Sequence, residues 1–201
     1  MMTGLPFAPA SDRNKGPILD ALLDRLPDAG RLLEIGSGTG QHAVYMAPRF
    51  PALVWQTSDR AGELAGLAAR LGAEGGPNLP PPLCLDVLTD AWPVGAFDAA
   101  YSANTSHIMS WVEVRAMFGG LGRALSGGAP FCLYGPFNRN GGYTAPSNAE
   151  FDRSLRARNP DMGLRDLGDL ERLGRDHQLA LEEILDLPVN NMLLTFRRAG
   201  T

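Results

Sequence analysis

Four residues at alternating positions, Glu34, Gly36, Gly38 and Gly40, concentrate the ligand chemistry of this chain. The apolar run Leu32 to Ile35 reads as a buried parallel strand, and Gln41 to Ala47 carries the apolar spacing of a helix. A backbone that turns this sharply and also lies against a ligand leaves no room for Cβ atoms, which is why glycine is needed. The helix that follows aims unpaired N–H groups and its positive dipole end into the crevice. Spacing then separates two kinds of ligand. A dinucleotide turn reads G-x-G-x-x-G, its third glycine allowing close packing of the helix beside a pyrophosphate. Here the spacing is G-x-G-x-G, and Gln41 stands where that third glycine would be, which argues against a nicotinamide oxidoreductase.

Further polar residues fall where parallel strands end. Asp59 closes the run Ala52 to Asp59, about twenty residues past the turn, where nucleoside-binding α/β folds place a carboxylate to accept from ribose hydroxyls. Its plainer role is to cap the next helix, from Ala61 to about Leu71, although Ser58 also stands ready for that. Asp86 closes the short run Leu83 to Val87, either for binding or as a turn residue before Ala91-Trp92-Pro93. A fourth strand, Phe97 to Asn104, runs into Thr105 to Trp111 and brings Asn104 and His107 to the same edge, though a lone histidine there is commonly structural. Arg13 and Asn14 stand at the entrance of an amphipathic helix bearing Ile18, Leu19, Leu22, Leu23 and Leu26. They serve capping and solubility, or they fold over the crevice, where a cation meets a ligand carboxylate.

The elements that position these groups follow from the same patterns. Residues 3–12 read as an irregular lead-in, with Asp12 or Asn14 as the first helix cap and Pro17 in its first turn. Residues 72–82 form a surface loop rich in glycine and proline. Trp111, Val114, Met117, Phe118, Leu121 and Leu125 mark a buried helix face that Gly127-Gly128 should end. A fifth strand at residues 129–134, a polar loop at 135–144, helices at 148–158 and 167–179, and strands at 181–187 and 189–197 complete the chain. The expected fold is α/β, a single doubly wound, mostly parallel sheet with an antiparallel last strand. One domain spans residues 1–201: lead-in and helix 1–30, binding core 31–137, acceptor-side loop and helices 138–180, and terminal strand pair 181–201.

Bulk composition narrows the partners. A net charge of −4 and a pI near 5.3 give no electrostatic case for nucleic acid, and Arg153, Arg156 and Arg158 read as a solvated helix face. Cys84 and Cys132 lie far apart in apolar runs and read as small core residues, while three histidines and two distant cysteines show no zinc spacing, so no metal is expected. Neither a signal segment nor an apolar membrane span is present in the sequence, and a cytoplasmic location is expected.

The glycine turn resembles motif I of the class I S-adenosylmethionine-dependent methyltransferases, E/D-x-G-x-G-x-G, matched here by Glu34, Gly36, Gly38 and Gly40. The resemblance widens with Arg13-Asn14-Lys15-x-Pro17-Ile18, Leu33 through His42, Tyr134-Gly135-Pro136-Phe137, Asn148-x-x-Phe151-Asp152-x-x-Leu155 and Asn190-Asn191-Met192-Leu193-Leu194. Together these are similar to a small methyltransferase-like family known mainly as a domain of unknown function. The resemblance implies S-adenosylmethionine as cofactor and S-adenosylhomocysteine as product. Its implied cofactor-binding set is Arg13, Asn14, Glu34, Gly36, Ser37, Gly38, Thr39, Gly40, Asp59, Asp86, Val87 and Asn104, with Asp86 meeting the adenine amine. The N/D-P-P-Y signature of amino-group methyltransferases is replaced by Ser102-Ala103-Asn104-Thr105-Ser106-His107.

The implied function is methyl transfer to a small-molecule acceptor. Because a sulfonium is a strong electrophile, positioning is the main task, and a base is needed only for a protonated acceptor. His107 is the first candidate base, with Tyr134 and Asp152 next. A thiolate or other soft acceptor would need none. The alternative is a protein that binds the cofactor without transferring the methyl group and acts through a protein partner.

Overall fold

The protein is described by a computed structural model covering residues 4–200. Strands β1 (Ala29–Ile35), β2 (Ala52–Asp59), β3 (Leu83–Cys84), β4 (Ala99–Ala103) and β5 (Pro130–Gly135) pair in parallel. Strand β9 (Asn191–Arg198) runs antiparallel between β5 and β8 (Leu179–Leu187), giving the order β3-β2-β1-β4-β5-β9-β8. The order reverses at β1 and β4, so the carboxyl ends of these neighbours open a crevice.

The sheet is buried on both faces, and this is why its central strands are continuously apolar rather than alternating. Leu32 on one side packs with α1 (Pro9–Leu23), α2 (Gln41–Met46) and α3 (Leu64–Glu74). Leu33 and Ile35 on the other pack with α4 (Trp111–Ala124) and α6 (Leu167–Asp176). Phe118 meets Phe131 and Phe196 edge-on at ring centroid distances of 5.6 and 5.2 Å. Such pairs add about 0.5–1.5 kcal/mol beyond their burial. Helix α5 (Pro146–Arg158) and a small parallel pair, β6 (Phe137–Asn138) with β7 (Arg165–Asp166), stand over the carboxyl end of the sheet.

Several local expectations give way to tertiary context. Helix α1 starts at Pro9, inside the expected lead-in; its N-cap Ala8 makes no side-chain cap bond, and Pro17 lies in its interior. Gly127-Gly128 does not end α4, which stops at Ala124; Gly128, at φ 83°, instead donates its N–H to the carbonyl of Arg198. Ser58 does not cap α3, because its buried hydroxyl donates to the Glu34 carbonyl at 2.7 Å. Helix α6 ends at Asp176, and β8 takes Leu179 onward. Cys132 is buried as expected, but Cys84, on the edge strand β3, is exposed.

Candidate functional site

The glycine turn is built as its sequence requires. Gly36, Gly38 and Gly40 all have positive φ, at 68°, 53° and 73°. A Cβ on Gly36 would stand 2.5 Å from Thr105 Cγ2, so this glycine lets the β4 loop press against β1. Gly38 differs: no atom lies within 4 Å of its would-be Cβ, which leaves bare backbone facing open space. Its N–H donates to Asp59 Oδ2 at 2.7 Å, while Arg60 N–H donates to Asp59 Oδ1 at 2.8 Å. Two backbone donors thus fix the carboxylate at the tip of β2, and its remaining lone pairs can accept further hydrogen bonds.

A cavity of about 310 Å³ opens on this pair. Gly36, Gly38, Asp59 and Arg60 form its polar wall, and Leu85, Val87, Ile108 and Met109 line it with apolar surface. Glu63 and Glu113 are the other carboxylates on the lining. Glu113 accepts from Ser110 N–H and closes the capping box of α4, and its second oxygen lies 3.7 Å from Arg60. Asp86 is not on the lining: its Oδ1 accepts from Leu88 N–H, closing the turn after β3.

A second cavity, of about 330 Å³, lies beyond the ends of β4 and β5. Arg13, Asn14, Asn104 and Tyr134 all reach it, joined by Asn148 and Phe151 of α5 and by Val189 and Asn191 of the β8–β9 hairpin. Among the described residues, Arg13 is its sole charged lining residue, and no carboxylate faces it. Asn14 Oδ1 lies 2.8 Å from His42 Nε2, which ties α1 to the start of α2. Burial pushes the His42 imidazole down to about 4, so its ring is neutral and acts as a structural link. Gln41, which occupies the dinucleotide glycine position, accepts from Ala8 N–H at 2.6 Å and from Thr39 at 2.9 Å, fastening α1 to the turn.

Other residues expected in the binding set hold the site from behind. Glu34 is 2% exposed and accepts the Trp55 indole N–H at 2.8 Å, without reaching either cavity. Burial raises its carboxyl to about 7, against the opposing pull of hydrogen bonds from Trp55 and Ser37. Ser37 Oγ accepts from Ser58 N–H, Thr39 bonds Gln41, and Gly40 packs under Leu67 and Arg70 of α3. These four shape the turn, whereas Gly36, Gly38, Asp59 and Val87 line the first cavity.

The three candidate bases differ in access and in hydrogen bonding. Asp152 is buried and its acceptor capacity is largely used: Oδ2 takes Tyr143 OH at 2.9 Å and Arg156 Nε at 2.8 Å, and Oδ1 takes Leu164 N–H at 2.7 Å. Burial alone would raise its pKa, but the Arg156, Leu164 and Tyr143 hydrogen bonds outweigh it and hold the carboxyl below its usual range. It clamps α5 to the loop before β7 and does not reach the second cavity. Tyr134 does reach that cavity, but burial raises its phenol, which therefore stays protonated and can act as a donor. His107 lies beneath the lining, 4% exposed, with no hydrogen-bond partner for Nδ1. Burial, reinforced by Arg165 and Arg158, pushes it down to about 4, leaving a neutral imidazole.

Arg165 and Phe151 are the residues whose roles local patterning does not disclose. Arg165 donates to the carbonyls of Ser106, Met109 and Asp161 and so pins the loop that carries His107 from a point more than fifty residues along the chain. Phe151 meets His107 edge-on, with ring centroids 5.2 Å apart.

Strand order, the single antiparallel strand and the crevice at the β1/β4 reversal define a Rossmann-like methyltransferase fold. The chain belongs to the family described as a protein of unknown function, DUF938, whose model matches residues 5–198. Among solved structures it is similar to the mitomycin 7-O-methyltransferase MmcR, with a TM-score of 0.80 and 18% identity over 94% of this chain and 54% of that one. An O-methyltransferase family protein from Burkholderia thailandensis gives 0.79 and 16%, over 95% and 58%. CalO1, a methyltransferase of calicheamicin biosynthesis in its SAH-bound form, gives 0.74 and 15%, over 96% and 54%. The chain spans just over half the length of each of these proteins.

Proposed function

We propose that this protein transfers a methyl group from S-adenosylmethionine to a small-molecule acceptor. The observation that carries the reading is the pair formed by the bare Gly38 backbone and the Asp59 carboxylate at the mouth of an apolar cavity. Ribose hydroxyls are donors that suit such a carboxylate, and the walls of Leu85, Val87, Ile108 and Met109 suit the faces of a flat base. No room is shaped there around a third glycine for a pyrophosphate, since Gln41 is committed to α1. When bound, S-adenosylmethionine supplies a methyl group already activated by its sulfonium charge.

The chain's own residues then supply position and a path for a proton. Gly36, Gly38, Asp59 and Val87 hold the nucleoside; Arg13 and Asn14 stand where a carboxylate can be met; Asn104 and Tyr134 orient the groups near the transfer point. His107, just beneath the lining of the second cavity, would be the group to take the proton of an acceptor hydroxyl once that hydroxyl reached the ring. Absence of net positive charge on the chain and the small size of the second cavity support a small acceptor over nucleic acid. No helix among the described residues is long and apolar enough to cross a membrane, and cytoplasmic work on a soluble metabolite is consistent with the sequence.

One observation favours a second reading, binding of the cofactor without transfer, with action through a protein partner: no lining residue of the second cavity is a base at neutral pH. The two readings separate on incubation with methyl-labelled S-adenosylmethionine and a panel of small alcohols, phenols, thiols and amines. Label transfer with S-adenosylhomocysteine release supports the enzyme. Saturable cofactor binding with no transfer across the panel supports the second reading, and no binding removes both.

A further inference from the structure

The base candidate and the acceptor cavity do not meet in this structure, and what lies between them is specific. His107 Nδ1 is a buried ring nitrogen without a partner, and leaving such an atom unsatisfied costs about 1–3 kcal/mol. It faces the backbone of Gly135, the last residue of β5; a Cβ there would stand 3.6 Å from Nδ1. Gly135 does not have positive φ, so this position does not need glycine for its backbone conformation. The missing side chain leaves a gap next to the nitrogen, one residue before Pro136, which lines the second cavity. On the other side, Phe151 both lines that cavity and stands edge-on against the imidazole, with an angle of 74° between the rings. Phe151 is 36% exposed, so the core does not enclose it.

The loop bearing His107 is fixed independently of this aromatic contact. Its carbonyl accepts Gly163 N–H at 2.9 Å, and Arg165 holds the flanking carbonyls of Ser106 and Met109. A ring whose loop is held by its backbone, with an unpartnered nitrogen beside a glycine and a phenyl group against its edge, is arranged to receive a hydroxyl rather than to brace the core.

We propose that the acceptor reaches His107 Nδ1 through a window between Gly135 and Phe151, that the Phe151 ring is its gate, and that the acceptor is a small uncharged compound presenting a hydroxyl. This rests on the methyl-transfer reading. The acceptor class follows from the cavity lining, where no carboxylate among the described residues could pair an ammonium and Arg13 is taken by the cofactor's carboxylate. The hydroxyl proton moves to Nδ1 as the oxygen bonds to the methyl group, and the resulting imidazolium releases it to solvent when the product leaves. Phe151 is a positioning residue, since it acts by covering and uncovering His107.

The window can be tested before any acceptor is known, with diethyl pyrocarbonate as the probe and mass spectrometry to read each of His42, His107 and His177. In the unaltered protein His107 is carbethoxylated slowly. Phe151→Ala raises its rate about tenfold while His42, engaged with Asn14 and Tyr101, stays unchanged. Adding Gly135→Ala, whose methyl makes ordinary contacts with His107 and Phe137, returns the rate to its starting value. Phe151→Leu gives an intermediate rate and replaces Phe151→Ala if that variant does not fold. An unchanged His107 rate in the position-151 variants overturns the gate. Equal acceleration at His42 shows general loosening and does the same. Acceleration that Gly135→Ala fails to reverse overturns the approach to Nδ1. Binding of S-adenosylhomocysteine to the unaltered protein, measured alongside, reports on methyl transfer separately: its loss removes that reading whatever the histidine rates show.

Discussion

The two halves of the crevice are made of different materials. The half at β1 and β2 is a backbone site: three glycines at positive φ, and a carboxylate held by two main-chain N–H groups. The half at β4 and β5 is a side-chain site, assembled by α1, α5 and the β8–β9 hairpin from residues spread from Arg13 to Asn191. Backbone sites depend on local conformation and tolerate little change, whereas side-chain sites are set by packing between distant elements and are free to vary in what they recognise. A cofactor common to many proteins suits the first construction, and an acceptor particular to one suits the second.

The sharpest way to break this contrast is to load the backbone site with a side chain. Gly36→Ala must place a Cβ at φ 68° and 2.5 Å from Thr105 Cγ2. Conformational and overpacking costs together predict a loss of about 2–4 kcal/mol in urea unfolding. A loss below about 0.5 kcal/mol would mean that the turn relaxes and is not rigid.

Glu34 sharpens the same half through pH. Its folded carboxyl is raised to about 7 by burial, above its value in the unfolded chain. The folded state therefore holds the proton more tightly, and this contribution is full below the unfolded value and is lost as pH rises to about 7. Buried His42 and His107, both lowered to about 4, act in the opposite sense, because their folded forms resist protonation. A difference measurement isolates the glutamate. Between about pH 4.5 and 7 the stability of Glu34→Gln should gain on that of the parent by about 2–3 kcal/mol, followed by urea unfolding across the range. A flat difference would mean that Glu34 is ionised in the fold.

Asp59→Ala removes the carboxylate but leaves the glycines. Loss of charge-assisted hydrogen bonds to ribose predicts S-adenosylhomocysteine affinity lower by about 10- to 100-fold in calorimetry, with an unfolding midpoint close to the parent's. Undiminished affinity would take the ribose away from Asp59. The smallest effect belongs to the side-chain half. Val189 sits at φ 62° at the hairpin tip, 84% exposed, a conformation that a β-branched residue adopts rarely. Val189→Gly should raise stability by about 0.5–1 kcal/mol in the same unfolding assay, since strain is relieved and little packing is lost. A destabilised variant would show that the valine is held by contacts, not strained.

The same division explains what the chain discloses before it folds. Strand β2 runs from Ala52 to Asp59, the span its apolar pattern marks, and the glycine turn lies between a strand and a helix as its spacing requires. These are local facts, set by residues within a few positions of one another. Asp152 looks like a ligand carboxylate by type, yet its oxygens are taken by Tyr143, Arg156 and Leu164, the last twelve residues along the chain, whereas Asp86 closes a local turn through Leu88 N–H, one of the two roles its position allows. Arg165 carries no sign in sequence that it will be 9% exposed and spent on backbone carbonyls. Phe151 belongs to a helix whose apolar pattern is weak, and its meeting with His107 depends on how α5 seats over β5. The limit of legibility is thus the distance along the chain over which a contact is made.

The central claim is that the first cavity binds a sulfur nucleoside. Isothermal titration of the purified protein with S-adenosylhomocysteine, with NADH as the comparison ligand, tests it directly. The account predicts saturable, one-site binding with a Kd of about 1–100 μM and no heat of binding with NADH. Binding of NADH, or of neither ligand, would contradict it.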